Sequence, residues 1–256
     1  MSLNFNILTL FPEMFPGSLG SSLAGKALER GDWAYNAVNI RDFGHGTHRA
    51  VDDTPYGGGA GMVMRADCIE GALLSVHPEL SSCDLIAGSQ DKQEDPSGKP
   101  KDDKPKLIYL SPRGKPLKQA MVEELSQESD ITLLCGRYEG VDQRVLDAYE
   151  FEEISIGDYV LSGGEPAALI LMDACIRLLD GVMGNSETVR EESFSEGAGG
   201  LLEYPHYTRP AEWTPKNGQA LKVPDILRSG DHKAVAEWRK EESKNITRKI
   251  RPDLLS

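Results

Sequence analysis

Short apolar runs of β character alternate with runs of helical spacing from Asn4 to Leu179, and this alternation limits the fold more than any other feature of the sequence. The runs that predict strands are Asn4–Leu10, Trp33–Ile40, Leu107–Leu110, Ile131–Cys135 and Phe151–Ile156. The runs that predict helices are Gly20–Arg30, Asp67–Ser75 with Asp67 as N-cap, Leu117–Leu125, Val141–Ala148 and Pro166–Leu179. Strands that alternate with helices favour an α/β fold, in which a mainly parallel sheet carries helices on both faces.

Two polar stretches divide the chain by composition. Residues Ser89 to Lys106 include no hydrophobic side chain, which is typical of a disordered surface insertion within a larger domain. Residues 185–200 are rich in Glu and Gly and are interpreted as an interdomain linker. The helical runs Asp225–Ser229 and His232–Lys244 follow it, so we expect a large domain over residues 1–184 and a small helical C-terminal domain over residues 201–256.

The charge is distributed unevenly along the chain. The net charge of −13 over 256 residues argues against nucleic-acid binding when it is taken as a whole. Residues 197–256, however, hold eleven Lys and Arg against eight Asp and Glu, a net charge of +3 that leaves −16 for the remainder. No apolar run is long enough for a membrane helix and no signal peptide is recognisable, so we expect a cytoplasmic protein without a membrane partner.

The four cysteines favour a packing role. Cys68, Cys83, Cys135 and Cys175 include no CxxC pair, so the sequence suggests neither a zinc site nor a redox motif. Cys135 and Cys175 lie in apolar runs, where reduced cysteines behave as small hydrophobic side chains.

Glycine-bearing loops follow three of the predicted strands. They are SPRG at Ser111–Gly114, GRYEG at Gly136–Gly140 and IGDYVLSGGE at Ile156–Glu165. Ligands of open parallel sheets bind beyond the carboxyl ends of the strands, and glycine allows positive φ angles and close approach of the backbone. A single loop of this kind is an ordinary tight turn, but three in the same topological position predict a binding site for one small ligand.

The three loops lack the common phosphate-binding patterns. None matches GxxxxGK[ST], and none has GxGxxG between a strand and a helix. A triphosphate or pyrophosphate ligand is therefore disfavoured, and a ligand bound through backbone N–H and C=O groups fits better.

Six motifs, in order along nearly the whole chain, resemble the bacterial tRNA (guanine-N1)-methyltransferases. They are LFPEMF (Leu10–Phe15), HRAVDDTPYGGGAGMVM (His48–Met64), IYLSPRG (Ile108–Gly114), CGRYEGVDQRV (Cys135–Val145), SIGDYVLSGGE (Ser155–Glu165) and PHYTRP (Pro205–Pro210). The resemblance implies a deep trefoil knot, a homodimer with active sites at the subunit interface, and a tRNA substrate methylated at N1 of guanine 37, beside the anticodon. It also implies S-adenosyl-L-methionine as methyl donor and a magnesium requirement, although the sequence contains no recognisable metal cage.

The resemblance further implies which residues bind and react. The cofactor would contact Tyr109, Leu110, Ser111, Pro112, Gly136, Tyr138, Glu139, Ser155, Ile156, Gly157, Asp158, Tyr159, Val160, Leu161, Gly163 and Gly164. The family places its base in a D-S-F motif after the linker and an arginine on the preceding helix, which correspond here to Glu192 and Arg177. A glutamate thus replaces the aspartate, and the neighbouring Glu191 remains an alternative base.

A second departure from the family and two other functions stay open. Pro166 lies one position earlier than in many relatives, which affects only the rim of the methionine-side pocket. One alternative function is a knotted methyltransferase that acts on ribose 2′-OH, against which the YGGGAGM loop and the acidic linker argue. The other is a non-catalytic RNA-binding module, against which the intact GRYEG and IGDYVLSGGE loops argue.

Overall fold

The computed structural model describes residues 2–81, 105–184, 192–195 and 197–255. Within them the chain divides into two compact units, Met1–Met183 and Gly184–Ser256, referred to below as the first and second unit. Most of the proposed insertion, all of residues 185–191 with Glu191, and Cys83 lie outside the described residues. None of the described helices is both long enough and apolar enough to cross a membrane.

The first unit is built on a five-stranded sheet in which every neighbouring pair is parallel. The strands are β1 (Leu3–Thr9), β2 (Trp33–Asn39), β5 (Lys106–Pro116), β6 (Asp130–Cys135) and β7 (Glu152–Ser155), in the order β2-β1-β6-β5-β7. Two short antiparallel strands, β3 (Asp52–Asp53) and β4 (Val63–Met64), pair outside it. The parallel sheet predicted from the alternation is confirmed.

Five α-helices of the first unit cover both faces of this sheet. They are α1 (Ser22–Arg30), α2 (Ala66–Val76), α3 (Gln119–Leu125), α4 (Gln143–Ala148) and α5 (Glu165–Ile176). The buried residues form two clusters, one with side chains of α1, α3 and α5 and the other with side chains of α2 and α4. Successive strand residues alternate between the clusters, as Ile108 and Leu110 do with Leu107 and Tyr109, because neighbouring side chains of a strand point to opposite faces.

Two local predictions in this unit were wrong. Helix α2 begins at Ala66 with Arg65 as its N-cap residue, and Asp67 lies in the first turn instead. The Asp67 carboxylate accepts hydrogen bonds from the Arg65 guanidinium, and this interaction lowers the pKa of Asp67. The polar segment also ends earlier than expected, since Lys106 is the first residue of β5 and its ammonium lies 2.7 Å from a carboxylate oxygen of Glu152.

The second unit is less regular, and its longest element is α6 (His232–Ile250). The Asp231 carboxylate caps this helix by accepting hydrogen bonds from the N–H groups of Lys233 and Ala234, both at 3.1 Å. The helix continues six residues beyond the predicted end at Lys244, and the other predicted helical run forms a 3₁₀ turn, Asp225–Arg228. A two-stranded antiparallel pair, β8 (Glu212–Trp213) with β9 (Leu221–Lys222), was not predicted.

The close approach of β5 and β7 depends on Gly114. Strand β5 pairs with Ile154 of β7 at Leu110 and again at Lys115, so residues 111–114 leave the sheet between the two contacts. A Cβ atom on Gly114 would collide with the backbone of Glu153 and Ile154, which has no freedom to move aside within a paired strand.

We therefore expect Gly114→Ala to lower the free energy of unfolding by about 1–3 kcal/mol through overpacking. Gly184→Ala is the matched control, because its Cβ atom would meet nothing within 4 Å. Urea denaturation of both variants measures the difference. Equal stability of the two would show that the Gly114 backbone shifts without cost.

Candidate functional site

A cavity of about 370 Å³ lies beyond the carboxyl ends of β5, β6 and β7. All three glycine-bearing loops line it, so the structure brings together the segments that the sequence placed in equivalent positions. Its size falls within the range of about 300–1,000 Å³ that is typical of small-molecule sites. The carboxyl edge of an open parallel sheet is also where such sites are expected.

Of the sixteen residues expected around the cofactor, all except Asp158 line this cavity. Asp158 is exposed on the loop after β7 and does not face the cavity. Tyr109, at the other extreme, is almost fully buried against the floor, and burial raises the pKa of its phenol. The remaining lining residues were not singled out from the sequence, and they are Arg113, Arg137, Gly140, Val141, Ile154, Ser162 and Ala167.

The glycines of the cavity are needed for close packing more than for unusual dihedral angles. A Cβ atom on Gly136 would lie 2.8 Å from the Tyr109 ring, and one on Gly164 would lie 2.8 Å from Cα of Cys135. Gly164 itself has φ −77°, which any residue adopts, and Gly163 is not among the glycines with positive φ either. Of the cavity glycines, Gly140 at φ 125° and Gly157 at φ 150° use the positive φ that glycine allows, whereas Gly163 and Gly164 do not.

A buried ion pair joins two of the loops. The Nε atom of Arg137, in the GRYEG loop, lies 2.9 Å from a carboxylate oxygen of Glu165, the first residue of α5. The Glu165 side chain is 0% exposed and that of Arg137 is 18% exposed. The other carboxylate oxygen of Glu165 accepts a hydrogen bond of 2.8 Å from the Thr9 hydroxyl at the end of β1.

The surroundings of Arg137 explain why this pair forms. Its guanidinium lies 4.3 Å from the centre of the Phe11 ring and donates a hydrogen bond to the carbonyl of Ser162. A Cβ atom on Gly163 would occupy the space of the Arg137 side chain. The Glu165 carboxylate lies at the N-terminus of α5, where the helix dipole favours a negative charge. Each partner has a recognisable setting in the sequence, since Arg137 lies two residues after a buried strand and Glu165 opens an apolar helix, but neither setting states which charge the residue meets.

The YGGGAGM loop is tied to the cavity by backbone hydrogen bonds. The N–H of Glu139 donates to the carbonyl of Met62 at 3.0 Å, and the N–H of Met64 donates to the carbonyl of Gly140 at 2.9 Å. Gly61, at φ 87°, leaves the space that the Glu139 side chain fills. This loop therefore holds the GRYEG loop in place through backbone hydrogen bonds, an interaction that the sequence did not indicate.

The two expected catalytic residues lie in different units. Arg177 is half-buried and follows α5 as its C-cap residue, and its N–H donates to the carbonyl of Asp173. Glu192 is half-buried in the second unit and begins a tight turn, in which the N–H of Ser195 donates to its carbonyl. Neither lines the cavity.

The described residues contain one group with the side chains of a metal site. The donor atoms of His45, Asp67 and Cys68 lie within 4.8 Å of one another. The Asp67 carboxylate already pairs with Arg65 at 2.8 Å and with His45 at 2.9 Å, and an arginine at that distance opposes a cation. We therefore interpret this group as a network of ion pairs.

Cys68, Cys135 and Cys175 are buried and free, and burial raises the pKa of Cys175 to about 12.

The sequence is similar to one protein family and to named proteins over nearly its whole length. The profile of the family described as tRNA (Guanine-1)-methyltransferase TrmD matches residues 3–256. A protein of Rhodospirillum rubrum named tRNA (guanine-N(1)-)-methyltransferase is 53% identical over 99% of this chain and 93% of its own length. Proteins with the same name from Mesorhizobium japonicum and Wolbachia pipientis are 51% and 49% identical, each over 100% of this chain and 97% of its own length.

The ion pair gives a direct test of what holds the cavity together. We expect Glu165→Gln to destabilise the protein by about 3 kcal/mol, near the lower end for a broken buried pair because Arg137 keeps some exposure. Asp42→Asn is the control, since it breaks the exposed Arg49–Asp42 pair of 2.7 Å, which is worth no more than about 1 kcal/mol. Urea denaturation compares the two, and equal losses would mean that the buried pair contributes no more than a surface contact.

Proposed function

The chain belongs to the tRNA (guanine-N1)-methyltransferase family and is a methyltransferase, and we propose that it transfers the methyl group of S-adenosyl-L-methionine to N1 of guanine 37 in tRNA. The observation that carries the choice of cofactor is the meeting of three glycine-bearing loops around a cavity of about 370 Å³. A methylation assay with purified tRNA, followed by mapping of the methylated nucleoside, tests the reaction and its position.

The chemistry of the cavity fits this cofactor. Its lining combines apolar side chains with backbone groups that glycines leave accessible, and it contains no phosphate-binding loop. Glu139 also lines the cavity. The buried Arg137 pairs with the carboxylate of Glu165 and not with that of Glu139, so the Glu139 carboxylate favours a ligand that carries positive charge. When bound, S-adenosyl-L-methionine supplies an electrophilic methyl group on a positively charged sulfur. The lining residues bind it, orient it and keep water away from it.

Two residues outside the cavity are proposed to act on the guanine. N1 of guanine is protonated at neutral pH, so a base has to remove this proton as N1 reacts. We assign this step to the Glu192 carboxylate. The negative charge that develops on O6 is stabilised by a fixed cation, which we assign to the Arg177 guanidinium. The ribose 2′-OH reaction is the competing proposal, and nucleoside analysis separates them because it yields a methylated ribose instead of a methylated base.

Recognition of the tRNA is proposed to lie in the second unit. Residues 197–256 carry the net charge of +3, and α6 ends in Arg248 and Lys249. Phosphate contacts dominate nucleic-acid affinity, so a mildly basic domain on an acidic protein concentrates this attraction in one place. Within this proposal the large domain of residues 1–184 binds the cofactor, residues 185–200 connect it, and residues 201–256 bind tRNA.

A homodimer with shared active sites, the trefoil knot and the magnesium ion remain proposals. Apolar side chains at the cavity mouth support the dimer, since Val160 is 86% exposed and Tyr159 is 51% exposed. Among the lining residues of the cavity, Glu139 supplies the carboxylate that could hold magnesium, which commonly binds through one or two carboxylates and retains water. Light scattering on the purified protein tests the dimer directly, and titration with magnesium in the methylation assay tests the metal.

Binding of the cofactor should stabilise the folded protein. A ligand at 100 times its Kd adds about 2.7 kcal/mol if it binds only the native state. At about 2–4 °C per kcal/mol for a domain of this size, the melting temperature should rise by several degrees. ATP is the control and should produce no comparable rise, because no loop has a phosphate-binding pattern. An absent shift with S-adenosyl-L-methionine would count against the proposed site.

The base assignment predicts a large kinetic effect from a small change of shape. Glu192→Gln keeps the size of the side chain and loses its basicity, so the single-turnover rate should fall by about 10²–10⁴-fold. The affinity for the cofactor should stay the same, because no residue of the cavity changes. Glu191→Gln is the matched control. If that variant is slow and Glu192→Gln is fast, the two glutamates exchange roles.

A further inference from the structure

The turn that carries Glu192 contains a strained residue. Phe194 has φ 71°, in the left-handed region that is rare and costly for a bulky aromatic residue. Its side chain is 44% exposed, so burial of the ring is a weak reason for this conformation. Such strain persists only where the surrounding structure holds the backbone, which directs attention to the contacts of residues 192–195.

Hydrogen bonds fix this turn against the segment that follows it. The N–H of Glu203 donates to the hydroxyl of Ser193 at 2.9 Å. The N–H of Phe194 donates to the carbonyl of Leu201 at 3.0 Å. These hydrogen bonds tie the turn to residues 201–203. The position of those residues therefore determines the position of the turn and of Glu192, its first residue.

A buried side chain of α6 bonds directly to that segment. The hydroxyl of Thr247 accepts a hydrogen bond of 3.0 Å from the N–H of Leu202 and donates one of 2.7 Å to the carbonyl of Ser243. Thr247 is 0% exposed, so no water replaces the contact if the hydroxyl is lost. The chain of contacts runs from Thr247 through Leu202 and its neighbours to Ser193, and so to the turn that begins at Glu192.

From these contacts we infer that Thr247 and Ser193 are positioning residues for the Glu192 carboxylate, an inference that rests on the proposed role of Glu192 as the base. Thr247 acts on the turn through the Leu202 N–H, and Ser193 acts through the Glu203 N–H. Neither residue touches the reacting atoms. Because a displacement of about 1 Å can cost about 10²-fold in rate, loss of either hydroxyl should be visible in the chemical step.

Thr247→Val is the main test variant, since valine keeps the shape of threonine and lacks the hydroxyl. We expect the single-turnover rate at saturating cofactor and tRNA to fall at least about 10-fold, with the Kd values of both ligands unchanged. Thr247→Ser keeps the hydroxyl and should recover most of the rate. Ser193→Ala removes the acceptor without altering α6, so it provides a second measurement if Thr247→Val folds poorly.

A double-mutant cycle with Glu192→Gln separates positioning from a general structural defect. If Thr247 acts through Glu192, Thr247→Val should slow the Glu192→Gln enzyme little, because the base that it positions is already lost. A slowing as large as in the wild-type background would overturn the inference, as would full rates for Thr247→Val and Ser193→Ala. A full rate for the single variant Glu192→Gln would contradict both the base assignment and this inference. This outcome is distinguishable, because it is measured before either Thr247 or Ser193 is changed.

Discussion

The buried ion pair between Arg137 and Glu165 is the constraint on which the arrangement of the first unit depends. It joins the loop after β6 to the start of α5, and through the Thr9 hydroxyl it also joins the end of β1. Removal of two charges from water is costly, and a pair of this kind is weak support for stability by itself. We interpret its role as geometric, because it joins two segments that line the cavity. The cavity beside them is the space that remains when they are joined in this way.

The glycines of the cavity have to be understood together with this pair. Gly163 leaves room for the Arg137 side chain, and Gly164 lets the start of α5 approach Cys135, where its N–H donates to the carbonyl of Gly136 at 2.9 Å. Side chains at these positions would separate the loops and weaken the ion pair. At these two positions the absence of a side chain permits contact between protein segments. The same close packing shapes the cavity that a ligand would enter.

The sequence predicted the sheet and its helices because apolar periodicity is a local property that burial imposes directly. It predicted the convergence of three loops because the carboxyl ends of parallel strands share one edge. It did not predict the Arg137–Glu165 pair, since nothing local in the sequence states which of many charges meets a given arginine. The N-cap at Asp67 was wrong because the helix begins one residue before Asp67, whose carboxylate accepts hydrogen bonds both from the guanidinium of Arg65 and from the N–H of Cys68 in the first turn.

The second unit was harder to predict because its described structure rests on single contacts and not on periodicity. The strand pair of β8 and β9 comprises two residues each, and all four are exposed, so burial left no pattern to recognise. Residues 201–203 have no regular secondary structure, and a side chain of α6 more than forty positions away fixes them. Such a contact becomes visible only when the folded chain is known.

The proposed base at position 192 is a glutamate where the resemblance implies an aspartate, and this difference makes these contacts more important for the proposal. A glutamate has one more rotatable bond than an aspartate, so its carboxylate samples more positions and more entropy is lost when it is held in one. A base that must meet a proton within hydrogen-bond distance gains from a backbone that does not move. The strained Phe194, the Ser193 hydroxyl and the buried Thr247 supply that fixed backbone. Under this proposal, a longer side chain on a rigid turn delivers the same carboxylate as a shorter side chain on a turn that lies closer to the substrate.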